Sequence, residues 1–157
     1  MTPTSVLPVL APAVTDAELE RLAQRYAANP NLQVLWPDTG APSSARLAQA
    51  PGVEIWLVSW PAGELSTWHD HGGSRAAFAV AHGCVLEQSW RPSGLSGRLL
   101  DRGDAVSLGS GDVHRVQGVG PARALTVHAY TPRLAQLVEH DVWLPSAELV
   151  SAGGRAR

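Results

Sequence analysis

Cysteine is almost absent from this sequence, since Cys84 is the only one among 157 residues. A single thiol cannot form a disulfide within the chain, which excludes a disulfide-stapled domain and fits a reducing compartment. No apolar run approaches the roughly 20 residues that a membrane-spanning helix needs. The first 13 residues carry none of the basic residues with which a secretory signal peptide begins. We therefore expect a cytoplasmic protein that does not enter a membrane.

An excess of positive charge is also lacking. Lysine and arginine together number 12 against 14 acidic residues, which gives a formal net charge of −2. Without a basic field, nucleic acid and anionic membrane surfaces are not expected as partners. The length suits one domain with a substantial core, spanning residues 1–157. We expect that domain to act on small molecules, as a monomer or a homodimer.

Glycine and proline are plentiful, at 15 and 12 residues, and they separate short apolar segments. Residues 53–60 are apolar at nearly every position, which is typical of a strand buried on both faces. Further strands are predicted at 78–81, 84–90, 97–100, 105–108, 113–116 and 124–130, with a hairpin-like turn at His82-Gly83. Short strands at nearly regular spacing predict an all-β sandwich or barrel, here over about 46–134.

The segments outside this barrel are predicted from turn and capping signals. Thr15-Asp16-Ala17-Glu18 is a capping box that should begin a helix ending at about residue 28. Residues 37–45 are rich in Pro, Gly and Ser and are predicted to form a loop. A short helix is expected at 134–140, and the tail from about 145 is expected to fray.

Three histidines form the candidate functional site. His69 and His71 are separated by one residue, so on an extended segment both imidazoles point to the same face. His114, from a later strand, can complete a cluster there. Three neutral imidazoles suit a divalent transition metal. The alternative is that these are ordinary polar strand residues near turns.

Three protein ligands would leave about three open positions on an octahedral metal, as in iron enzymes that bind substrate and dioxygen side by side. Because no ligand is charged, such a site keeps the metal's full positive charge and favours an anionic ligand such as a thiolate. A structural zinc site would need a fourth ligand. Cys84 lies past the Gly83 turn, too far around to supply it.

The spacing of glycines and histidines resembles both signature motifs of the cupin superfamily. The first motif runs from Gly63 through His69, His71 and Ala76 to Gly83, and the second runs from Gly103 through Gly109 and His114 to Gly118. Gly109 and Gly118 replace the usual proline and asparagine, and Ala76 stands where most cupins carry a metal-binding glutamate. The resemblance implies a jelly-roll β-barrel, preceded here by the N-terminal helix.

Over roughly residues 46–134 the chain resembles the thiol dioxygenases of the cysteine dioxygenase type I family. The resemblance is carried by Trp60-Pro61-Ala62-Gly63, His69-Asp70-His71-Gly72-Gly73-Ser74, Gly83-Cys84-Val85-Leu86-Glu87, Val113-His114-Arg115-Val116 and Thr126-Val127-His128-Ala129-Tyr130-Thr131-Pro132. It implies Fe(II) held by His69, His71 and His114. It also implies that both atoms of O2 are added to a small thiol, such as cysteine or 3-mercaptopropionate, to give a sulfinic acid.

The same resemblance implies a catalytic relay of Thr126, His128 and Tyr130, where the family usually has Ser-His-Tyr. Alternation along one strand places all three side chains on one face, where they can orient one another. The alternative is that Tyr130 is a buried aromatic residue with a satisfied hydroxyl.

Two positions depart from the family pattern. The cysteine that some members crosslink to the active-site tyrosine would fall at Ala76, so no crosslink can form there. The arginine that binds the substrate carboxylate in the family lies upstream of the Trp60 strand. Arg46 matches it best if the following loop is about three residues shorter, and the alternative is an ordinary exposed arginine. Arg75, next to the histidine segment, is the second choice.

Two other functions fit the same residues. One is a different metal-dependent cupin enzyme that acts on a small hydroxy or carbonyl acid. The other is a cupin that binds a small molecule without catalysis. Metal analysis combined with oxygen uptake on a panel of small thiols would separate the three functions.

Overall fold

The computed structural model describes residues 13–141. In chain order its elements are α1 (Asp16–Ala27), α2 (Leu32–Leu35), β1 (Ser43–Ala50), β2 (Val53–Trp60), β3 (His69–Asp70), β4 (Arg75–His82), β5 (Cys84–Arg91), β6 (Gly94–Asp101), β7 (Ala105–Leu108), β8 (Val113–Val119), β9 (Ala124–Thr131) and β10 (Val138–Glu139). No helix in this part of the chain has the length and apolar character needed to cross a membrane.

Helix α1 begins at the predicted capping box. The Thr15 hydroxyl accepts a hydrogen bond from the Glu18 amide at 3.2 Å, and the Glu18 carboxylate accepts one from the Thr15 amide at 2.7 Å. These two bonds satisfy amides that the first helical turn leaves unpaired. The helix buries Leu19, Ala23 and Ala27 against the barrel.

The ten strands form two antiparallel sheets of five strands each. The order is β1-β2-β9-β4-β7 in the first sheet and β10-β3-β8-β5-β6 in the second. The inner faces pack on each other through residues such as Phe78, Val85 and Val116. The outer face of the first sheet packs on α1 through residues such as Leu57 and Val127. The all-β barrel with an N-terminal helix is therefore confirmed, and β2 is indeed covered on both faces.

The hairpin-like turn predicted at His82-Gly83 is wrong. Strand β4 pairs with β7 and β9, whereas β5 pairs with β6 and β8, so the chain changes sheets at this point. Gly83 has φ of +69°, and a Cβ there would lie 2.8 Å from the Arg123 carbonyl oxygen. The tight crossing therefore depends on the absence of a side chain.

Two further predictions, a loop boundary and a helix, are also wrong. The loop predicted at 37–45 ends earlier, because β1 already pairs with β2 at Ser43. Strand β1 was not predicted because it lies half-exposed at the sheet edge and its small and polar residues resemble those of a loop. The helix predicted at 134–140 is absent. Instead β10 pairs with β3, and the His140 amide donates to the Trp68 carbonyl at 2.8 Å. The tail predicted to fray from about 145 lies outside the described residues.

Candidate metal centre

The three histidines predicted as metal ligands come together inside the barrel. His69 lies on β3, directly opposite His114 on β8, and His71 follows β3. One ring nitrogen from each residue lies within 4.8 Å of the other two. All three side chains are buried. No other group of three metal-ligating side chains occurs within residues 13–141.

The ring nitrogens have the hydrogen-bond pattern of a metal site. His69 Nδ1 lies 2.9 Å from the Thr67 carbonyl oxygen, so Nδ1 carries the proton and Nε2 is free to bind a metal. Nδ1 of His71 and both ring nitrogens of His114 are buried without a hydrogen-bond partner among the described residues. An unsatisfied buried polar atom costs about 1–3 kcal/mol, which coordination to a cation would offset. The donor set therefore fits a divalent transition metal.

The environment keeps the imidazoles of His69 and His71 neutral. Burial, together with repulsion from His114 and His69, lowers the pKa of His71 to about 3. Burial, and secondarily His114, also lowers the pKa of His69. The neutral imidazole is the form that binds metals, so the site is ready for an ion at neutral pH.

A buried carboxylate that was not among the predicted site residues adjoins this cluster. Glu87 on β5 is 1% exposed, and its Oε1 lies 3.4 Å from Nδ1 of His114. The Ser89 hydroxyl donates to Oε1 at 2.8 Å, and Arg98 Nε donates to Oε2 at 2.9 Å. Burial alone would raise the pKa of Glu87, but His114, Ser89 and Arg98 together lower it to about 2. Glu87 is therefore ionised, and the cluster has a negative neighbour.

The sequence carried one signal for Glu87. In the predicted strand 84–90, Val85, Glu87 and Ser89 occupy alternate positions and so share a face. Because Val85 belongs to the barrel core, that face points inward. A glutamate on an inward face needs a partner, but the partners Arg98 and His114 come from neighbouring strands.

The three predicted relay residues form a hydrogen-bonded row on β9. The Trp60 indole donates to the Thr126 hydroxyl at 2.8 Å. The same hydroxyl lies 2.8 Å from His128 Nε2, and the Tyr130 hydroxyl lies 3.4 Å from His128 Nδ1. The row therefore has one member more than predicted, namely Trp60 on β2.

The indole of Trp60 sets the direction of this row, because an indole N–H can only donate. Thr126 is fully buried, and Trp60 and His128 are the described partners of its hydroxyl. Its proton therefore goes to His128 Nε2. His128 then carries its own proton on Nδ1, facing Tyr130. This arrangement leaves the Tyr130 proton free to point at a ligand in the cavity.

The protonation states agree with this direction. Burial, reinforced by the three clustered histidines, lowers the pKa of His128 well below its usual value, so the ring is neutral. Burial, and secondarily Glu54, raises the pKa of Tyr130, so the phenol keeps its proton. Tyr130 is thus a hydrogen-bond donor at neutral pH.

A cavity of about 350 Å³ opens onto these groups. Its walls are mostly apolar and carry no arginine, aspartate or glutamate among the described residues. The lining consists of Ser44, Trp56, Val58, Trp60, Ser66, Thr67, His69, His128, Tyr130, Leu134 and Leu137. The cavity therefore offers a polar end at His69 and Tyr130 and an apolar body.

Arg46 is exposed beside this cavity and does not line it. It sits on β1 opposite Trp56, and its guanidinium carbon is 6.0 Å from the centre of the Trp56 ring. By strand alternation it shares a face with Ser44, which does line the cavity. The structure thus places Arg46 on the face of β1 that carries a lining residue, with its side chain exposed.

Arg75 points away from the site. Its guanidinium binds the Asp16 carboxylate and the Val14 carbonyl oxygen at helix α1, on the outer side of the barrel. The suggestion that it contacts a ligand is therefore wrong. Asp70 behaves as expected of a turn residue, since its Oδ1 accepts from the Gly72 amide at 2.6 Å. Its Oδ2 lies 2.7 Å from His140 Nε2.

Comparison with known protein families shows which family this chain belongs to. The family model for cysteine dioxygenase type I matches residues 6–142. The chain belongs to the cysteine dioxygenase type I family. Ala76, where some members carry the crosslinking cysteine, lies directly opposite Tyr130 in the β4–β9 pair. Cys84 of this cysteine dioxygenase family member lies opposite Asp101 and Val119 in the other sheet.

Solved structures show the same fold at low identity. An uncharacterised double-stranded β-helix protein from Klebsiella pneumoniae is 18% identical, with a TM-score of 0.58, over 68% of this chain and 90% of that protein. Oxalate oxidase in complex with the substrate analogue glycolate is 16% identical, with a TM-score of 0.58, over 71% and 66% of the two chains. KdgF from Halomonas sp. is 21% identical, with a TM-score of 0.54, over 62% and 86%. The cupin fold is thereby confirmed.

Family membership and the three-histidine cluster together indicate a metal-dependent cupin enzyme.

Proposed function

We propose that this protein is an iron(II)-dependent thiol dioxygenase. It adds both atoms of O2 to the thiol of cysteine or a close relative and releases a sulfinic acid. Both oxygen atoms end on sulfur, and the electrons that sulfur loses are those that dioxygen gains, so no further reductant is needed. Oxidation stops at the sulfinic acid. The observation that carries the proposal is a cluster of three buried histidines without a carboxylate ligand, in a chain of this family.

Iron(II) held by His69, His71 and His114 would supply open coordination positions for a thiolate and for dioxygen and would allow their spin-forbidden reaction. The protein supplies the selectivity for an anionic sulfur. Because all three ligands are neutral, the positive charge of the metal stays available to a thiolate. Apolar walls such as Val58 and Leu134 strengthen this attraction, because opposite charges attract more strongly beside apolar groups than in bulk water.

Tyr130 and its row supply an oriented hydrogen bond. The hydrogen-bond direction set by Trp60 leaves the Tyr130 proton free for a ligand in the cavity. Nδ1 of the neutral His128 lies 3.4 Å from the phenol oxygen and can donate to it. Such a preorganised donor costs no reorganisation when the reaction occurs. This is the role proposed for Thr126, His128 and Tyr130.

Arg46 is proposed as the anchor for a substrate carboxylate. A guanidinium binds a carboxylate in a bidentate manner, with a geometry that a lysine cannot offer. Its place opposite Trp56, a residue that lines the cavity, supports a thiol whose sulfur lies at the histidines and whose carboxylate lies toward β1. The described lining holds no cation, and Arg46 lies over Trp56, one of the lining residues, which makes Arg46 the candidate for this contact.

The test combines metal analysis with oxygen uptake and product identification. The protein loaded anaerobically with iron(II) should bind one metal per chain and consume one dioxygen per thiol oxidised, with cysteine sulfinate or its homologue as the product. His114→Ala should lose both metal and activity, because two imidazoles hold iron poorly. Oxygen uptake on a hydroxy or carbonyl acid instead of any thiol would favour another cupin enzyme. Metal binding without turnover would favour a non-catalytic binder.

A further inference from the structure

Glu87 is a buried charged group that the proposed reaction does not use. It is 1% exposed inside the barrel, where an ionised carboxylate is expensive unless it is paired. Arg98 pairs with its Oε2 atom, but the Arg98 side chain is 47% exposed at the sheet edge. An arginine at that edge could be satisfied by water. The pair therefore does not explain why the carboxylate lies in the interior.

The second carboxylate oxygen faces the metal cluster. Oε1 accepts from the Ser89 hydroxyl at 2.8 Å and lies 3.4 Å from Nδ1 of His114. Ser89 is directly opposite His114 in the β5–β8 pair, so strand pairing itself places these groups together. At 3.4 Å the contact with His114 is longer than a strong hydrogen bond. The contact does not have hydrogen-bond geometry, and among the described residues Nδ1 of His114 has no other hydrogen-bond partner, so the Glu87 carboxylate is the acceptor in reach of a small ring rotation.

We propose that Glu87 is a positioning residue for the metal site, accepting the Nδ1 proton of His114 so that Nε2 faces the ion. A carboxylate behind a ligating histidine fixes the tautomer and the ring orientation and makes the imidazole a stronger donor. The three histidines then differ in their support. The Thr67 carbonyl oxygen lies 2.9 Å from Nδ1 of His69, the Glu87 carboxylate lies 3.4 Å from Nδ1 of His114, and no such acceptor is found beside Nδ1 of His71 among the described residues.

The inference rests on the proposed function only through the metal site and not through the thiol chemistry. It also explains how a carboxylate can affect the metal site although no carboxylate is a direct ligand. The negative charge acts through His114, while the coordination position that a direct ligand would fill stays available.

The first test needs no metal. In the ¹⁵N-labelled metal-free protein, long-range proton–nitrogen correlation spectra distinguish the two neutral histidine tautomers, and His114→Asn identifies the signal. We expect His114 to carry its proton on Nδ1. In Glu87→Gln, whose amide can also donate, we expect a mixture of tautomers or the Nε2-protonated form. A wild-type His114 that carries its proton on Nε2 would overturn the proposal.

The second test measures cobalt(II) affinity, with cobalt as a spectroscopic substitute for iron(II). Loss of such a supporting group usually weakens binding by about 10- to 100-fold, and we expect this for Glu87→Gln. The matched control is Glu54→Gln, which removes one negative charge from another buried carboxylate that accepts from the Leu134 amide at 2.7 Å. That variant should keep wild-type affinity for cobalt.

The outcomes separate a positioning role from a structural one. A Glu87→Gln protein with a lower melting temperature but unchanged tautomer and cobalt affinity would mean that Glu87 only supports the fold, and the proposal would fail. If Glu87→Gln does not fold, the tautomer of wild-type His114 still decides. If the wild type binds no divalent metal, the proposed function fails, whereas the spectra still report on the bond between Glu87 and His114.

Discussion

At the scale of single residues, Tyr130 carries the sharpest prediction. Tyr130→Phe removes the proton that points into the cavity and keeps the ring that packs 5.3 Å from His71. We expect iron content to stay at the wild-type level while kcat falls by about tenfold to a thousandfold, since the bond acts mainly in the transition state. Steady-state kinetics with metal analysis on the same sample will measure both. Wild-type turnover in this variant would show that the row serves packing only.

Arg46 carries the prediction about substrate choice. Arg46→Ala should raise KM for cysteine about tenfold, because a hydrogen bond to a charged group contributes about 1.5–3 kcal/mol and less where the side chain is exposed. KM for cysteamine, which has no carboxylate, should hardly change. Arg75→Ala is the control, since Arg75 binds Asp16 outside the barrel and should leave both KM values unaltered. An Arg46→Ala protein with wild-type KM for cysteine, or a wild type that prefers cysteamine, would rule out the anchor.

At the scale of secondary-structure elements, α1 matters because it covers one face of the first sheet. Leu19 is fully buried between the helix and the strands. Leu19→Ala should destabilise the protein by about 2–5 kcal/mol, the usual cost of such a cavity. Leu22→Ala, at a half-buried position on the same helix, should cost less. Thermal unfolding of both variants checks the order, and a Leu22→Ala variant that unfolds at the lower temperature would contradict this packing.

The elements that were predictable from sequence are those whose signal is local. The capping box at Thr15 and the His-x-His spacing that begins on β3 depend on neighbours along the chain. Strands β1 and β10 depend instead on a partner strand. The small, polar residues of β1 read as a loop, and the two residues of β10 have no pattern of their own. Glu87 and Trp60 follow the same rule, because their roles come from contacts across strands that sequence spacing does not show.

At the scale of the whole molecule, the buried histidines make stability depend on pH. Folded His71 has a pKa of about 3 against an ordinary value of 6.5, and burial lowers the pKa values of His69 and His128 as well. Between those values the unfolded chain binds more protons, so stability of the metal-free protein should fall as pH drops below about 6.5. Each histidine that is protonated in the unfolded chain but neutral in the folded protein lowers the free energy of unfolding by up to ~1.4 kcal/mol per pH unit.

Urea unfolding of the metal-free protein at a series of pH values from 7 to 5 will measure this slope. His71→Asn removes one of the titrating groups and should give a shallower slope than the wild type. A free energy of unfolding that is constant or rises as the pH falls would contradict the neutral state of the cluster.

The barrel divides the proposed chemistry between its two sheets. The strands β3 and β8 that bring His69 and His114 together belong to the second sheet, and so does Glu87. Trp60, the β9 row and Arg46 all belong to the first sheet. One sheet would then determine which metal is accepted, and the other would determine which substrate is held and how it is hydrogen-bonded. Under this division, mutations that broaden or shift substrate preference can accumulate on β1, β2 and β9 while the metal specificity is inherited unchanged. The two properties are therefore separate targets for natural selection and for directed evolution.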